Sequence, residues 1–311
     1  MLESNLNNKW TFKPTPIVKW AGGKRQLLSK FKDKYPKELK KGLITTYLEP
    51  FCGGAAVFFD ICFSYEIKKA YLFDKNIELI ILYKTIQHDV YKLINKLYEL
   101  EDKYLSLSLS ERSEFYYNIR KLYNTFDKQI DSNFYSSEWM ERACYTMFLN
   151  KTCFNGLYRV NRQGKFNVPI GNYKNPKIFC EKNLIAVSKA FEIAEIKYRD
   201  FSEVLKYANE STFIYYDPPY RPIKNKSNFR AYTSLKFDDR EQQRLQQVFI
   251  KASKLQALQM LSNSDPKNYT DDDFFDELYK EFYISRFSAL RMINSKSHKR
   301  GSVSEIVITN Y

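Results

Sequence analysis

Residues 212–220 have the sequence TFIYYDPPY, a short apolar run that an aspartate and two prolines end. Short apolar runs bounded by polar residues are typical of buried strands, and a proline pair supplies no backbone donor that could continue the pairing. Similar runs occupy residues 70–73, 258–261 and 305–309, and a shorter one occupies residues 196–198. We therefore predict several buried strands of one sheet.

The segments between these runs carry apolar residues at spacings of three and four, which is the periodicity of a helix packed on one face. These helical patterns cover residues 55–65, 77–104, 138–149, 181–193 and 238–255. Strands that alternate with helices predict an α/β fold, with an open sheet and helices on both of its faces. In such a sheet, ligands bind beyond the carboxyl ends of the strands.

The composition indicates a globular chain with a polyanionic partner. Its 311 residues are 44% hydrophobic and 17% aromatic, which is enough for a full core. The net charge of +14 favours phosphates, although charge alone does not separate DNA, RNA and an anionic membrane. Residues 142–180, 218–236 and 282–304 contain no Asp or Glu, and we interpret these three stretches as one surface that faces phosphates.

Other functional classes receive no support from the sequence. No apolar run approaches the length of a membrane span, and the polar N-terminal segment has no signal-peptide core, so we expect a soluble cytoplasmic protein with no membrane partner. The five cysteines are scattered, and only His88 and His298 could join them around a metal. We therefore expect free thiols and no metal site.

Residues 157–160 and 165–168 are two short extended runs separated by the polar sequence NRQG, which predicts a β-hairpin. The hairpin follows a mostly helical region, and the chain has no flexible linker that would tether a separate domain. We therefore predict that residues 78–196 are a domain inserted into a main domain, which residues 1–77 and 197–311 form.

The residues that follow the strand 212–216 could hold an aromatic amine. Adenine N6 is a poor nucleophile because its lone pair is delocalised into the ring. The Asp217 carboxylate and the Pro218 carbonyl could accept both N6 hydrogens and turn the lone pair toward an electrophile. Tyr220 would then stack on a base held outside its duplex. The alternative is a strand-ending turn with a surface tyrosine.

Two further segments could bind a ligand that contains a nucleoside. Residues 47–55, YLEPFCGGA, contain a glycine turn that opens a helix, and Asp74 ends the next strand, where it could accept two ribose hydroxyls. Residues 17–24, IVKWAGGK, lack the spacing of a nucleoside triphosphate loop, but Trp20 could cover an adenine or a methionine chain. The alternatives are a plain helix start and a tryptophan that anchors the N-terminal segment.

Taken in this order, the three segments resemble the α group of N6-adenine DNA methyltransferases, the Dam-like family of the D12 class. The likeness extends from Lys19 to the end of the chain and implies a Rossmann-like sheet that binds S-adenosylmethionine. It implies that Asp217, Pro218 and Tyr220 form the catalytic loop. The cofactor-binding residues that it implies are Trp20, Ala21, Gly22, Lys24, Glu49, Pro50, Phe51, Gly53, Asp74, Asp200, Phe201 and Asp217.

The hairpin resembles the target-recognition hairpin of family members that read GATC in restriction-modification systems. By this likeness, Arg159 would bond a guanine edge and Lys19 the outer guanine, while Leu157 and Pro169 would touch thymine methyl groups. Phe154 would wedge near the vacated stack. The DNA-binding residues that the likeness implies are Lys19, Asn150, Phe154, Asn155, Leu157, Arg159, Asn161, Pro169 and Asn228. We expect the chain to act on double-stranded DNA as a monomer.

Other activities fit the sequence less well. An RNA methyltransferase is disfavoured because A-form RNA closes its major groove to a hairpin. A DNA-binding relative without catalysis would not need an intact Asp217. Cytosine C5 transfer needs a cysteine preceded by proline, which the sequence does not contain. Cytosine N4 transfer goes with serine in place of Asp217.

Overall fold

Strands and helices alternate along the chain, as the apolar runs predict. This computed structural model describes residues 10–126, 130–132, 134–221, 237–268, 271–290 and 302–311. Within these residues, one sheet contains seven strands, which are β1 (Thr46–Glu49), β2 (Lys69–Asp74), β3 (Ala194–Tyr198), β4 (Thr212–Tyr216), β5 (Leu258–Ser264), β6 (Tyr283–Leu290) and β7 (Ser302–Thr309).

The strand order is β3-β2-β1-β4-β5-β7-β6. The strands from β1 to β5 pair in parallel, and β7 pairs antiparallel with both β5 and β6. The order reverses between β1 and β4, because β2 and β3 lie on one side of this pair and β5 lies on the other. A reversal of this kind opens a crevice at the carboxyl ends of the two central strands, and ligands of open α/β sheets bind there.

Helices cover both faces of the sheet, which confirms the predicted α/β architecture. They are α1 (Leu28–Phe31), α2 (Lys37–Lys40), α3 (Ala56–Ser64), α4 (Ile77–Ser106), α5 (Leu109–Thr125), α6 (Met140–Thr152), α7 (Glu181–Phe191), α8 (Asp239–Lys254) and α9 (Phe274–Leu278). Alternate residues of β4 point to opposite faces. Phe213 and Tyr215 belong to the core on the side of α3, α4 and α7, whereas Ile214 and Tyr216 belong to the core on the side of α8.

The apolar runs predicted the central strands better than the edge strand. The bounds of β4 are those predicted, and β2, β5 and β7 extend the predicted runs by a few residues. The prediction missed β6, which pairs with β7 alone at the edge of the sheet. Its sequence, YISRFSAL, interrupts the apolar residues with Ser285, Arg286 and Ser288, which are exposed or half-buried at this edge, so it has no continuous apolar run.

A buried ion pair ties the first turn of α4 to α6. Arg142 Nε donates to Glu78 Oε2 at 2.7 Å, and the guanidinium makes a second bond to the other carboxylate oxygen. The two side chains are only 1% and 3% exposed. Removing either partner would leave a buried charge without compensation, at a cost of about 3–5 kcal/mol. The pair therefore holds α6 against the first turn of α4, and the division into two domains stays a prediction.

The predicted hairpin is present as a narrow antiparallel turn. Val160 and Phe166 form an isolated bridge, and Cys153 and Ile170 form a second one beyond it. Asn161 closes the turn, because its side-chain oxygen accepts from two backbone amides inside the loop. The hairpin prediction is confirmed, with pairing limited to these bridges.

None of the helices within the described ranges combines the length and apolar character that a membrane crossing requires. Across the same ranges, no cluster of three or more His, Cys, Asp or Glu side chains is arranged to hold a metal ion. The five cysteines carry free thiols, and four of them are buried.

Candidate active site

The crevice at the carboxyl ends of β1 and β4 collects the residues that were predicted to perform chemistry. Glu49 ends β1, Asp74 ends β2 and Asp217 directly follows β4. The loop that precedes α1 reaches the same crevice, because Lys24 Nζ lies 2.6 Å from Asp217 Oδ1. The structure therefore brings together four segments that are far apart in the sequence.

Asp217 is placed by the strand that precedes it and by the proline pair that follows it. Pro218 is buried, and the Pro219 carbonyl accepts from the Gln242 side chain of α8 at 3.2 Å, which holds the loop in place. The Asp217 side chain is 18% exposed. Burial raises the pKa of this carboxyl to about 6, although the neighbouring Lys24 opposes the shift. Asp217 is therefore an ionised acceptor at neutral pH.

Lys24 is the buried counter-ion of Asp217. It is 3% exposed, and its ammonium donates to the Asp217 carboxylate, to the Tyr220 hydroxyl at 2.8 Å and to the Gly22 carbonyl at 3.0 Å. Burial lowers the pKa of Lys24, but Asp217, Tyr220 and Glu305 together raise it more, so the pKa lies above its ordinary range and the ammonium stays charged. Its three hydrogens are used within the site, so its expected cofactor contact stays a prediction.

Tyr220 is held through its hydroxyl group. The hydroxyl accepts from Lys24 and donates to Glu305 Oε1 at 2.8 Å, and the ammonium of Lys24 also lies 4.8 Å from the ring centroid. The ring is 37% exposed. The sequence analysis missed Glu305, which lies on β7, 85 positions away from Tyr220. The signal for Glu305 in the sequence is an acidic residue that begins the apolar run 305–309, directly after the acid-free stretch 282–304.

Glu49 connects the end of β1 with the first turn of α3. It is 2% exposed, and its Oε2 accepts from the Tyr47 hydroxyl at 2.8 Å and from the Phe58 amide at 3.1 Å. Burial raises the pKa of Glu49 well above its ordinary range. The likeness implies that Glu49 contacts the cofactor, but the contacts of Oε2 connect β1 with the first turn of α3. Pro50, which follows it, is also buried.

Asp74 connects the glycine turn with the start of α4. Its Oδ2 accepts from the Gly53 amide at 2.9 Å, and its Oδ1 accepts from the Asn76 amide at 2.8 Å. Burial raises the pKa of Asp74 although these amides oppose the shift. Each carboxylate oxygen has a second lone pair, so these bonds are compatible with the predicted ribose contact.

Trp20 lies between the glycine turn and the hairpin. A side chain at Gly53 would place its first carbon 3.1 Å from Trp20 Cδ1, and Gly53 has a positive φ of 45°, so glycine is required at this position. On its other side, Trp20 stacks on Tyr158 of the hairpin, with ring centroids 4.9 Å apart. Ala21 and Gly22, which follow Trp20, are partly or fully exposed beside it.

Asp200 follows β3 and is paired with Arg244 of α8. Two nitrogens of the guanidinium donate to its two carboxylate oxygens at 2.7 and 2.9 Å. Although partial burial raises the pKa of Asp200, Arg244 and the Ser202 donors lower it more, so it lies well below its ordinary range. The likeness implies an adenosine contact for Asp200, and the structure adds Arg244, which sequence reasoning missed.

An aromatic wall closes the crevice on the side of β3. Phe201 is 4% exposed and packs on Phe51, with ring centroids 5.4 Å apart, and on Phe237, 5.9 Å apart. The Arg244 guanidinium lies 3.9 Å from the Phe201 ring centroid. Phe51 and Phe201 were predicted site residues, and the structure brings them together. Phe237 was not predicted, because it lies in a loop with no motif of its own.

Asn150 is the predicted DNA contact that the structure places away from the surface. It is 2% exposed, its Oδ1 accepts from the Lys19 amide at 2.8 Å and its Nδ2 donates to the Lys19 carbonyl at 2.9 Å. These bonds use the side chain to hold the backbone of Lys19 beside the hairpin. The Asn150 side chain is therefore buried and paired in this structure, and its predicted contact with DNA stays a prediction.

The other predicted DNA-binding residues lie at the edge of the hairpin. Phe154 is 51% exposed, and Asn155, Asn161, Pro169 and Lys19 are also exposed, whereas Leu157 and Arg159 are half-buried. Arg159 Nε donates to the Asn167 side chain at 2.8 Å, and this bond holds the guanidinium at its Nε atom. The Lys19 side chain crosses Gly156, where a Cβ would collide with it. Asn228 lies outside the described residues.

The fold and the site together define a class of protein. A Rossmann-like sheet with β7 inserted antiparallel between β5 and β6, and a glycine turn that faces an Asp-Pro-Pro-Tyr loop across its central crevice, has the architecture of a methyltransferase. The family model described as "D12 class N6 adenine-specific DNA methyltransferase" matches residues 20–293. The chain belongs to this family and is an adenine-specific DNA methyltransferase.

Several curated proteins resemble the chain over nearly its whole length. The type II methyltransferase M.MjaIII of Methanocaldococcus jannaschii is 45% identical, over 95% of this chain and 99% of that protein. The type II methyltransferase M1.LlaDCHI of Lactococcus lactis subsp. cremoris is 35% identical, over 99% of each chain. The DNA adenine methylase of Haemophilus influenzae is 30% identical, over 95% of this chain and 93% of that protein.

Proposed function

We propose that the chain transfers a methyl group from S-adenosylmethionine to N6 of an adenine that has been rotated out of double-stranded DNA. The observation that carries this proposal is the ionised, partly exposed Asp217 at the mouth of the central crevice, with its pKa raised to about 6. An acceptor of this kind, beside the rigid carbonyl of Pro218, suits an aromatic amine with two hydrogens.

The residues around the crevice fit the proposed cofactor. Asp74 offers carboxylate lone pairs to ribose hydroxyls, Gly53 allows close approach of a ligand to the backbone, and the wall of Phe51 and Phe201 suits an adenine ring. When bound, S-adenosylmethionine supplies an electrophilic methyl group. We propose cofactor contacts for these residues and for Trp20.

Asp217 and Pro218 orient the amine in the proposed reaction. Their oxygens accept the two N6 hydrogens, so that the nitrogen lone pair leaves conjugation with the ring and points toward the methyl carbon. As the new N–C bond formed, the bond between the methyl carbon and the cofactor sulfur would break with its electron pair left on sulfur, and the N6 proton that becomes acidic would pass to Asp217. Lys24 keeps Asp217 ionised in the free enzyme and has to share or release Oδ1 when the amine arrives.

The hairpin is proposed to read the target site. Its exposed edge carries Phe154 and Pro169, and Lys19 lies across its first turn, so a base-reading surface adjoins the catalytic crevice. By the family likeness, we propose GATC as the site, with Arg159 on a guanine edge. We propose that residues 78–196 form the target-recognition domain and that one chain acts as a monomer.

We propose further that the enzyme is the modification partner of a restriction nuclease. Support comes from the two relatives at 45% and 35% identity, which are both named type II methyltransferases. A nuclease encoded beside this chain, whose cleavage of DNA is blocked after methylation by this enzyme, is the expected finding. Methylation that leaves the cleavage unchanged would contradict this role.

Sequencing of modified bases in DNA from cells that express the chain tests the proposal. The host should lack adenine methylation, and a strain with the Asp217→Ala variant is the control. We expect N6-methyladenine within GATC in the first strain and none in the control. Methylation within another short site would overturn the GATC assignment alone. Modification of RNA only, or of cytosine, would overturn the proposed reaction.

A further inference from the structure

Glu305 is a carboxylate of the crevice to which the proposed reaction gives no role. It lies on β7 opposite Ser264 of β5, and its Oε1 accepts from the Tyr220 hydroxyl at 2.8 Å. Its Oε2 is buried and has no hydrogen-bond partner among the residues that the structure describes. A buried carboxylate oxygen without a partner is costly, so this side chain requires an explanation beyond the stability of the sheet.

The contacts of Glu305 are directed at Tyr220. The Tyr220 hydroxyl is bonded on one side to Lys24 and on the other to Glu305, so two bonds in different directions fix the oxygen at the end of the ring. The ring itself is 37% exposed, so part of its surface is free to contact a ligand. Without Glu305, the bond to Lys24 would remain, and the ring could pivot about it.

We propose that Glu305 is a positioning residue that sets the ring plane of Tyr220, against which the extruded adenine stacks. This inference rests on the proposed function, in which Tyr220 holds the base beside Asp217. Glu305 has no role in cofactor binding in this account. Since a small misplacement of a reacting group lowers a rate strongly, its loss should affect the transfer step more than the cofactor KM.

A double-mutant cycle tests whether Glu305 acts through Tyr220. The single-turnover methylation rate at saturating cofactor and duplex is measured for Glu305→Ala, Glu305→Gln, Tyr220→Phe and the double variant Tyr220→Phe with Glu305→Ala. A hydrogen bond to a charged group predicts a loss of about tenfold to a hundredfold for Glu305→Ala. Glutamine keeps an acceptor oxygen, so Glu305→Gln should stay within about fivefold of the wild type.

The cycle supports the proposal if Glu305→Ala has no further effect once Tyr220 lacks its hydroxyl. An equal additional loss in the Tyr220→Phe background would overturn it, and so would a Glu305→Gln variant as slow as Glu305→Ala. If the alanine variant does not fold, the cycle is run with Glu305→Gln, whose smaller loss must also vanish. Glu210→Ala, which removes an exposed carboxylate before β4, is the control for the change of charge.

A fluorescent base separates this inference from the proposed function. A duplex with 2-aminopurine at the target adenine should change its emission on binding the wild-type enzyme, because the base leaves the stack. We expect brighter emission with Glu305→Ala, because the loosened Tyr220 ring quenches the base less. Unchanged emission with the wild type would overturn base extrusion itself. Emission with Glu305→Ala equal to that of the wild type would overturn the positioning role alone.

Discussion

Trp20 stacks on Tyr158 and at the same time covers Gly53, so one indole ring contacts both the hairpin and the glycine turn. The two ring centroids are 4.9 Å apart with an interplanar angle of 30°. The glycine turn and the hairpin therefore share a contact with the half-buried Trp20. A change in the glycine turn or in the hairpin would therefore alter how the Trp20 ring packs against the other.

Replacement of Trp20 by alanine should weaken both cofactor and site-specific DNA binding. The stacked pair contributes about 0.5–1.5 kcal/mol beyond its buried area, which corresponds to roughly twofold to tenfold in each dissociation constant. Trp20→Phe keeps a stacked ring and is the matched control. Equilibrium titrations with cofactor and with duplex measure both effects. An alanine variant that weakens only one of the two ligands would show that the contact does not couple them.

Asn150 should control specificity only through Lys19. Asn150→Ala removes two hydrogen bonds to the Lys19 backbone, so the discrimination between the cognate site and a site with a changed outer base pair should fall by about tenfold. In a Lys19→Ala background, the same change should have little further effect, because the positioned side chain is gone. Duplex binding to both sites measures this. Independent, additive losses would mean that Asn150 has another role.

Arg159→Ala should reduce the discrimination between cognate and non-cognate sites rather than the general affinity for DNA. A bidentate contact with a guanine edge contributes about 1–3 kcal/mol to discrimination against the wrong base. Binding is compared on a cognate duplex and on one in which the guanine pair is replaced, at a fixed salt concentration. A uniform loss on both duplexes, with a reduced salt dependence, would make Arg159 a phosphate contact instead.

Methylation should fail in mild acid because Asp217 becomes protonated. Burial raises its pKa above the ordinary value, to about 6, so the anionic acceptor is present above pH 6 and is lost as the pH falls through this value. Below the midpoint, kcat/KM should fall about tenfold per pH unit, since this quantity reports the free enzyme. Duplex affinity over pH 5 to 7 is the control. A midpoint near pH 4 would contradict the raised pKa.

The central strands could be predicted from the sequence because they are buried on both faces. A buried parallel strand must be apolar at every position, so β4 appears as one continuous run and its bounds were predicted as observed. In β6, Ser285, Arg286 and Ser288 interrupt the apolar residues, and this pattern did not stand out within a basic stretch. Length and burial, rather than motif, decided which strands could be predicted.

The site could be predicted where a motif lies in one segment, and not where a partner comes from elsewhere in the fold. Asp217 and Gly53 belong to short motifs, and the structure brings both to the crevice. Glu305 lies on β7 and Arg244 lies on α8. Only the tertiary fold brings them next to Tyr220 and Asp200. For the same reason, the sequence could not tell that the amide of Asn150 is already paired with a backbone.

The most direct test of the account is the single-turnover methylation rate of Asp217→Ala and Asp217→Asn on duplex DNA, with duplex affinity measured in parallel. We expect both variants to bind duplex with nearly unchanged affinity. Methyl transfer should fall at least about a hundredfold for Asp217→Ala, because the acceptor for an N6 hydrogen is lost. An alanine variant that keeps more than about a tenth of the wild-type rate would contradict the central claim that Asp217 orients the amine.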